Sequence, residues 1–223
     1  MKAMLLAAGR GERMRPLTDH TPKALLVAGG KPLIVWHLEA LARAGVRDVI
    51  INLSWLGAQI RSALGDGRDF GVRIQYSAEG SPPLETGGGI FQALPLLGAG
   101  PFLVVNGDTF TDIDLGALRL SAGADARLVL VPNPPQHPRG DFGLQAQQVL
   151  DREPRPFTYS GIGVFSPALF AGCTAGRFAL LALFQRACAA GRLHGERHDG
   201  LWRDIGTPAR LAALNQELAQ KGG

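Results

Sequence analysis

An apolar run, Leu6-Ala7-Ala8, breaks into Gly9-Arg10-Gly11-Glu12-Arg13-Met14-Arg15-Pro16-Leu17-Thr18 and closes on Thr21-Pro22-Lys23. Glycine lets backbone amides approach an anion, and arginine and lysine neutralise its charge, so the segment reads as a phosphate cradle. Two familiar cradles do not match. The Rossmann fingerprint needs a third glycine where Met14 stands, and the P-loop needs Gly-Lys followed by Ser or Thr. A second constellation, Phe102-Leu103-Val104-Val105-Asn106-Gly107-Asp108, is a buried strand that ends in a carboxylate. In parallel α/β sheets that end of a strand is the ligand edge. Its counterpart is Trp202-Arg203-Asp204-Ile205-Gly206-Thr207-Pro208, a strand ending in Asp204 before a helix start. Asp112 and Asp114 read as caps of a helix after Asp108.

Two further loops carry candidate chemistry. In Glu79-Gly80-Ser81-Pro82-Pro83-Leu84-Glu85-Thr86-Gly87-Gly88-Gly89 a proline pair feeds a triple glycine at a helix start, which suits close approach to a flat ligand; Thr86 reads as the helix cap. His137-Pro138-Arg139-Gly140-Asp141-Phe142-Gly143 is a loop rich in polar side chains. His37, His194 and His198 have no partner pattern and read as core or surface residues.

The first segment resembles the G-x-G-x-R-x-x-P-L-T-x-x-x-P-K motif of the sugar-1-phosphate nucleotidyltransferases. The resemblance implies a Rossmann-like fold and synthesis of a nucleotide-sugar from a nucleoside triphosphate and a sugar-1-phosphate. It further implies that backbone at Ala8, Gly9 and Gly11 holds the nucleotide, that Arg13 meets the departing diphosphate, and that Lys23 bridges phosphates. Asp108 and Asp204 are then the expected ligands of a catalytic Mg²⁺, an ion that takes few protein oxygens and completes its shell with water and phosphate. Glu79, or backbone near Glu85, would accept the N3–H of a pyrimidine, with Gly87 in the same base-reading loop. A carboxylate pairs even better with the two adjacent donors of guanine, so the base stays open.

For the sugar phosphate the resemblance implies Asn106, Arg139, Asp141, Arg152 and Gly161. Arg152, in Arg152-Glu153-Pro154, stands near the family's Glu-Lys-Pro lysine. Within the family, the Leu-Glu-Thr-Gly-Gly-Gly and Arg-Gly-Asp-Phe segments are most like the uridylyltransferases of N-acetylmuramate-1-phosphate, which serve cell-wall recycling. Their sugar carries a carboxylate to which Arg139 or His137 would supply counter-charge. UTP and that sugar phosphate are therefore the expected substrates. A mannose-1-phosphate guanylyltransferase or glucose-1-phosphate thymidylyltransferase is the nearest rival, and a non-catalytic nucleotide-sugar binding module comes after it.

The elements that must position these residues alternate strand with helix. Strands are expected over Lys2–Ala7, Val46–Leu53, Val72–Tyr76, Phe102–Val105, Ala126–Val131 and Tyr159–Phe165. Helices are expected over Pro32–Ala44, Trp55–Leu64, Gly88–Leu97, Phe178–Ala190 and Pro208–Leu218. This alternation predicts a three-layer α/β/α sandwich with a mostly parallel central sheet, and one domain over 1–223. Residues 133–156, richer in proline and polar side chains, read as a hairpin-like insertion.

The 223 residues are 46% hydrophobic and 19% charged, which excludes a disordered chain. The net charge of +4 invites a nucleic-acid reading. Its arginines are scattered, however, apart from Arg10, Arg13 and Arg15 in the glycine turn, where a compact anion fits better than a polynucleotide. No run is long enough for a membrane span. The N-terminal apolar run is too short for a secretion signal, and Cys173 and Cys188 read as a reduced, buried pair, so a cytoplasmic chain is expected. No nucleic-acid or membrane partner is expected, and the assembly is a monomer or a small homo-oligomer.

Overall fold

A computed structural model describes residues 1–221. Along the chain the strands are β1 (Lys2–Leu6), β2 (Val27–Ala28), β3 (Lys31–Pro32), β4 (Asp48–Leu53), β5 (Arg73–Ala78), β6 (Phe102–Asn106) and β7 (Thr109–Thr111). They continue with β8 (Ala126–Pro132), β9 (Gly143–Gln145), β10 (Gln148–Leu150), β11 (Phe157–Phe165), β12 (Leu193–Arg197) and β13 (Trp202–Asp204). The helices are α1 (Leu33–Arg43), α2 (Gly57–Leu64), α3 (Glu85–Leu97), α4 (Leu181–Ala189) and α5 (Pro208–Lys221). Among the described residues no helix is long and apolar enough to cross a membrane.

Nine strands form one sheet in the order β5-β4-β1-β6-β11-β8-β12-β10-β9. Only β10 and β11 run against the others. The sheet is thus mostly parallel, as expected, with β11 inserted between β6 and β8 as a returning strand. The β9–β10 hairpin adds to its far edge through β12.

Period-two alternation in the strands separates the two faces. Ala3 and Leu5 of β1, with Val49 and Ile51 of β4, pack beneath α1 and α2 against Leu38, Leu41, Ile60 and Leu64. Met4, Ile50 and Val104 face the other way, onto Ile90 and Ala93 of α3 and Phe184 of α4. Two helical layers therefore enclose the sheet. A third, smaller core joins Met14, Leu26, Leu33, Phe110, Ile205, Leu211 and Leu214. It fastens the Gly9–Lys23 segment and α5 beside β7 and β13, and so fixes the charged loops to the sheet.

The expected helix after Asp108 is absent. Residues 112–125 run without regular structure; Asp114 Oδ1 accepts from the Gly116 N–H in a tight turn (2.9 Å), and Asp112 Oδ1 meets His198 Nε2 at 2.8 Å. Short polar side chains that cap helices also form such local turns, and here no helical run follows them. His198 accordingly has a partner that sequence spacing did not reveal. Thr86 lies inside the first turn of α3, whose cap position is Leu84, so it does not cap the helix.

Candidate active site

The loops that follow β1, β4, β5 and β6 open on one edge of the sheet, and two adjoining hollows occupy that edge. The first, of about 250 Å³, is lined by Leu6, Ala8, Gly9, Asn52, Glu79, Pro83, Glu85, Thr86 and Arg177. The second, of about 350 Å³, is lined by Arg13, Gln136, His137, Tyr159, Trp202, Asp204 and Arg210 among others. They meet at Asn106 and Asp108, which border both.

Of the expected nucleotide-cradle glycines only Gly9 lines the first lobe, and Gly11 lines neither. Gly9 is open, with no heavy atom near where a Cβ would stand. Gly11 has a φ of 64° and presses on Thr18 and Lys23, which folds the loop back on itself; Thr18 Oγ1 donates to the Gly11 carbonyl (2.8 Å). Glu79 is buried, and both of its oxygens are engaged. Oε1 accepts from Asn52 Nδ2 (2.7 Å) and Oε2 from the Leu84 N–H (2.8 Å), while Asn52 Oδ1 accepts from the Ala7 N–H (2.7 Å). The sequence reading made Glu79 the acceptor for a base. The structure makes it half of a buried bridge that ties the β1 loop to the base-facing loop, since a buried carboxylate needs its hydrogen bonds from fixed donors. Asn52 escaped the sequence reading; its only signal is a polar residue near the C-terminal end of the apolar run Val49-Ile50-Ile51.

The triple glycine also has a packing role. A Cβ at Gly87 would stand 2.5 Å from Phe178, one at Gly88 2.2 Å from the Gly176 carbonyl, and one at Gly89 2.3 Å from Glu79 Oε1. Gly87 thus faces the Gly176–Phe178 segment and does not line the first lobe. Glu85 lines that lobe, and its Oε1 pairs with Arg177 Nη2 at 2.8 Å.

The second lobe is built from charge. Lys23 Nζ lies 2.6 Å from Asp108 Oδ2, and Asp204 pairs with Arg210. The β7–β13 pairing sets Asp204 opposite Thr109, and the Ile205 N–H donates to the Asp108 carbonyl (2.9 Å), so two aspartates 96 positions apart come to one lobe. Gly161, with a φ of 81°, sits at a register irregularity in β11, where a Cβ would stand 2.5 Å from Asn106 Nδ2. Only glycine permits that approach, which seats Asn106 between the lobes. Trp202 Nε1 donates to the Ser160 carbonyl (2.9 Å) and closes the same wall. Behind the Asp108 turn, burial pushes the His37 imidazole down to about 4, against hydrogen bonding to Thr109 backbone and the nearby Asp108 charge.

Other expected contacts lie elsewhere. Arg139 is exposed and lines neither lobe. Asp141 lines neither; its Oδ1 meets His137 Nε2 (2.9 Å) and its Oδ2 accepts from the Tyr159 N–H (2.8 Å), so it holds His137 at the lobe wall. Arg152 lies in a separate depression with Gln185 and Cys188, at the end of β10. The strand that carries it joins the far side of the sheet, away from the ligand edge. Of the three clustered arginines only Arg13 turns inward, because Arg10 stacks over Trp55 (4.6 Å) and Arg15 pairs with Asp19. Arg177 and Arg210 were missed; a basic residue six positions after Asp204, in the first turn of α5, was the available signal for Arg210.

Asp108 and Asp204 would offer hard oxygen donors to a divalent cation once Lys23 and Arg210 release them; among the described residues no group of three or more His, Cys, Asp or Glu is gathered for a metal. A small, hydrated ion that takes one or two carboxylates and substrate phosphates suits this pair better than a dedicated protein cage.

Residues 2–152 match the nucleotidyl transferase family model. The chain is 53% identical over 224 residues, covering 95% of both chains, to the N-acetylmuramate alpha-1-phosphate uridylyltransferase of Neisseria meningitidis serogroup B. It is 36% identical to the enzyme of the same name from Caulobacter vibrioides, over 98% of this chain and 97% of that one. A Bacillus anthracis crystal structure in complex with sucrose superposes with a TM-score of 0.85 at 20% identity, over 98% of this chain and 95% of that one, which shows the common fold. With its family-matched cradle, its sheet-edge cleft and its full-length likeness to these enzymes, the chain belongs to the nucleotidyl transferase family.

Proposed function

We propose that this protein transfers UMP from UTP to N-acetylmuramate-1-phosphate, giving UDP-N-acetylmuramate and diphosphate. The observation that carries the reading is the shared wall of the two lobes: one carboxylate, Asp108, borders both a hollow lined by Ala8 and Gly9 of the cradle and a hollow framed by paired charges. Two anionic substrates placed in those hollows would meet there. The names of the full-length relatives support the nucleotide and the sugar. Glu79 does not discriminate the base: both of its oxygens already accept from protein donors, which bears equally on a pyrimidine and on guanine.

The attacking oxygen belongs to a phosphate monoester, already anionic at neutral pH, so no residue need remove its proton. What this chain supplies is position and charge. Arg13, which has no ion-pair partner among the described residues, would meet the diphosphate as negative charge accumulates on it. Lys23 and Arg210, now on Asp108 and Asp204, can turn to phosphate oxygens. Mg²⁺ held by Asp108 and Asp204 would supply Lewis-acid polarisation of the α-phosphate. On this reading the reaction is a step of cell-wall recycling and runs in the cytoplasm.

The test is diphosphate release from purified protein given Mg²⁺, N-acetylmuramate-1-phosphate and, in separate reactions, UTP, dTTP, GTP, CTP and ATP. Release with UTP alone is the expected result. Release only when mannose-1-phosphate or glucose-1-phosphate replaces that sugar would overturn the substrate assignment and keep the reaction class. Replacing Mg²⁺ with a chelator should abolish release.

A further inference from the structure

Glu85 opens α3 at a φ of 60°. That is the left-handed region, which a residue carrying a Cβ seldom occupies. The backbone on either side is pinned. The Leu84 N–H donates to Glu79, the Phe178 N–H donates to the Leu84 carbonyl (3.2 Å), and the Gly88 N–H donates to the Phe178 carbonyl (3.0 Å). A short strap is thereby laced to the first turn of α3, and Arg177 projects from it to the rim of the first lobe. There its Nη2 meets Glu85 Oε1 at 2.8 Å. The two side chains are 61% and 39% exposed, and ion pairs so open to water add little stability. The ion pair therefore does not offset the strained backbone; the hydrogen bonds that lace the strap hold it in place, and residues held in this way cluster at functional positions.

We propose that Glu85 is a positioning residue: it tolerates a left-handed backbone so that its carboxylate can hold Arg177 at the rim of the nucleotide lobe, presented to a substrate phosphate. This rests on the nucleotidyl-transfer reading above. A guanidinium has five N–H donors in a rigid fork, so one edge can stay on Glu85 while another grips an anion. The phosphate comes either from the triphosphate or from the sugar-1-phosphate, and the two arms of the test separate them.

The experiment compares Glu85→Gly and Glu85→Ala, each in the natural chain and in an Arg177→Ala background. Melting temperature, kcat, and the KM of UTP and of N-acetylmuramate-1-phosphate are measured for each. Both substitutions remove the carboxylate, but only glycine relaxes the backbone. Glu85→Gly should melt about 2–4 °C above Glu85→Ala. Both should raise the KM of at least one substrate by about tenfold with kcat within about threefold, a 1.4 kcal/mol loss of binding. With Arg177 already replaced, neither should add a further loss. A rise for UTP assigns the contact to the triphosphate, and a rise for the sugar assigns it to the monoester. Unchanged KM for both substrates, or an equal added loss in the Arg177→Ala background, overturns the proposal. If the natural chain turns over no UTP with this sugar, the substrate reading fails by itself. The same comparison is then made by calorimetric titration of UTP, diphosphate and glucose-1-phosphate, where a tenfold weakening of any of the three upholds the role of Glu85 and equal affinity for all of them rejects it.

Discussion

The two lobes that meet at Asp108 are made in opposite ways. The nucleotide-facing lobe is framed by buried hydrogen bonds and tight glycine contacts: Ala7 to Asn52, Asn52 to Glu79, Glu79 to Leu84, and three glycines with no room for a Cβ. Its polar groups are committed to one another, so its shape is fixed by folding. The second lobe is framed by charges in partly exposed pairs, Lys23 with Asp108 and Arg210 with Asp204, which can exchange partners when phosphate arrives. Damage to the first lobe should thus appear in stability and binding together. Damage to the second should appear in turnover with the fold intact.

The largest effect expected on this contrast is Asp108→Asn. It removes the charge common to both lobes while keeping the side-chain shape, and turnover should fall by about a thousandfold with a melting temperature within a few degrees of the natural chain. Steady-state diphosphate release and a thermal melt check both parts; retained activity that still requires Mg²⁺ would break the contrast. Gly161→Ala comes next. Its Cβ would collide with Asn106 at a positive φ, so about 2 kcal/mol of stability and roughly tenfold or more of activity should be lost together. In the first lobe, Glu79→Ala leaves Asn52 and the Leu84 N–H without their acceptor and should cost about 2–3 kcal/mol by denaturant unfolding, with a raised KM for UTP.

Acid provides a subtler probe. His37 is neutral in the fold, with its pKa pushed by burial from 6.5 to about 4. Between those values the unfolded chain binds a proton that the folded chain does not, so stability conferred by the neutral ring is full above pH 6.5 and declines as pH falls toward 4. At pH 5.5 the loss from this residue should be about 1 kcal/mol, and His37→Gln should show correspondingly less change between pH 7.5 and 5.5. The smallest effect belongs to Arg152→Ala. Arg152 lies outside both lobes, so kinetics within twofold are expected; a large rise in the KM of the sugar phosphate would place that residue in the second lobe after all.

Much of this was legible in the sequence because it is local. Apolar runs of five or six residues alternating with helical periods specify a layered α/β sheet, and they located the five helices and six of the nine strands of the large sheet to within a few residues; β12, whose Leu193-His194-Gly195-Glu196-Arg197 has no apolar run, was not among them. The G-x-G-x-R…P-K spacing marked the cradle, and strands ending in Asp108 and Asp204 marked carboxylates at the ligand edge. Less was legible where partners lie far apart along the chain. Arg139, Asp141 and Arg152 share the chemistry of a sugar-phosphate site, yet one is exposed outside the lobes, one is spent on His137 and Tyr159, and one is carried by β10 to the far edge of the sheet.

The sequence by itself determined which segments form strands and helices, and which loop could cradle an anion, since periodicity, glycine and proline act over a few residues. Only the tertiary structure decided which charged side chains face the cleft and which are already bound. Asn52 meets Glu79 across 27 positions, Glu85 meets Arg177 across 92, and Asp204 reaches Asp108 through the β7–β13 pairing. Ion pairs and buried hydrogen bonds depend on distances that exist only after the sheet has closed its layers, and residue types alone do not encode them.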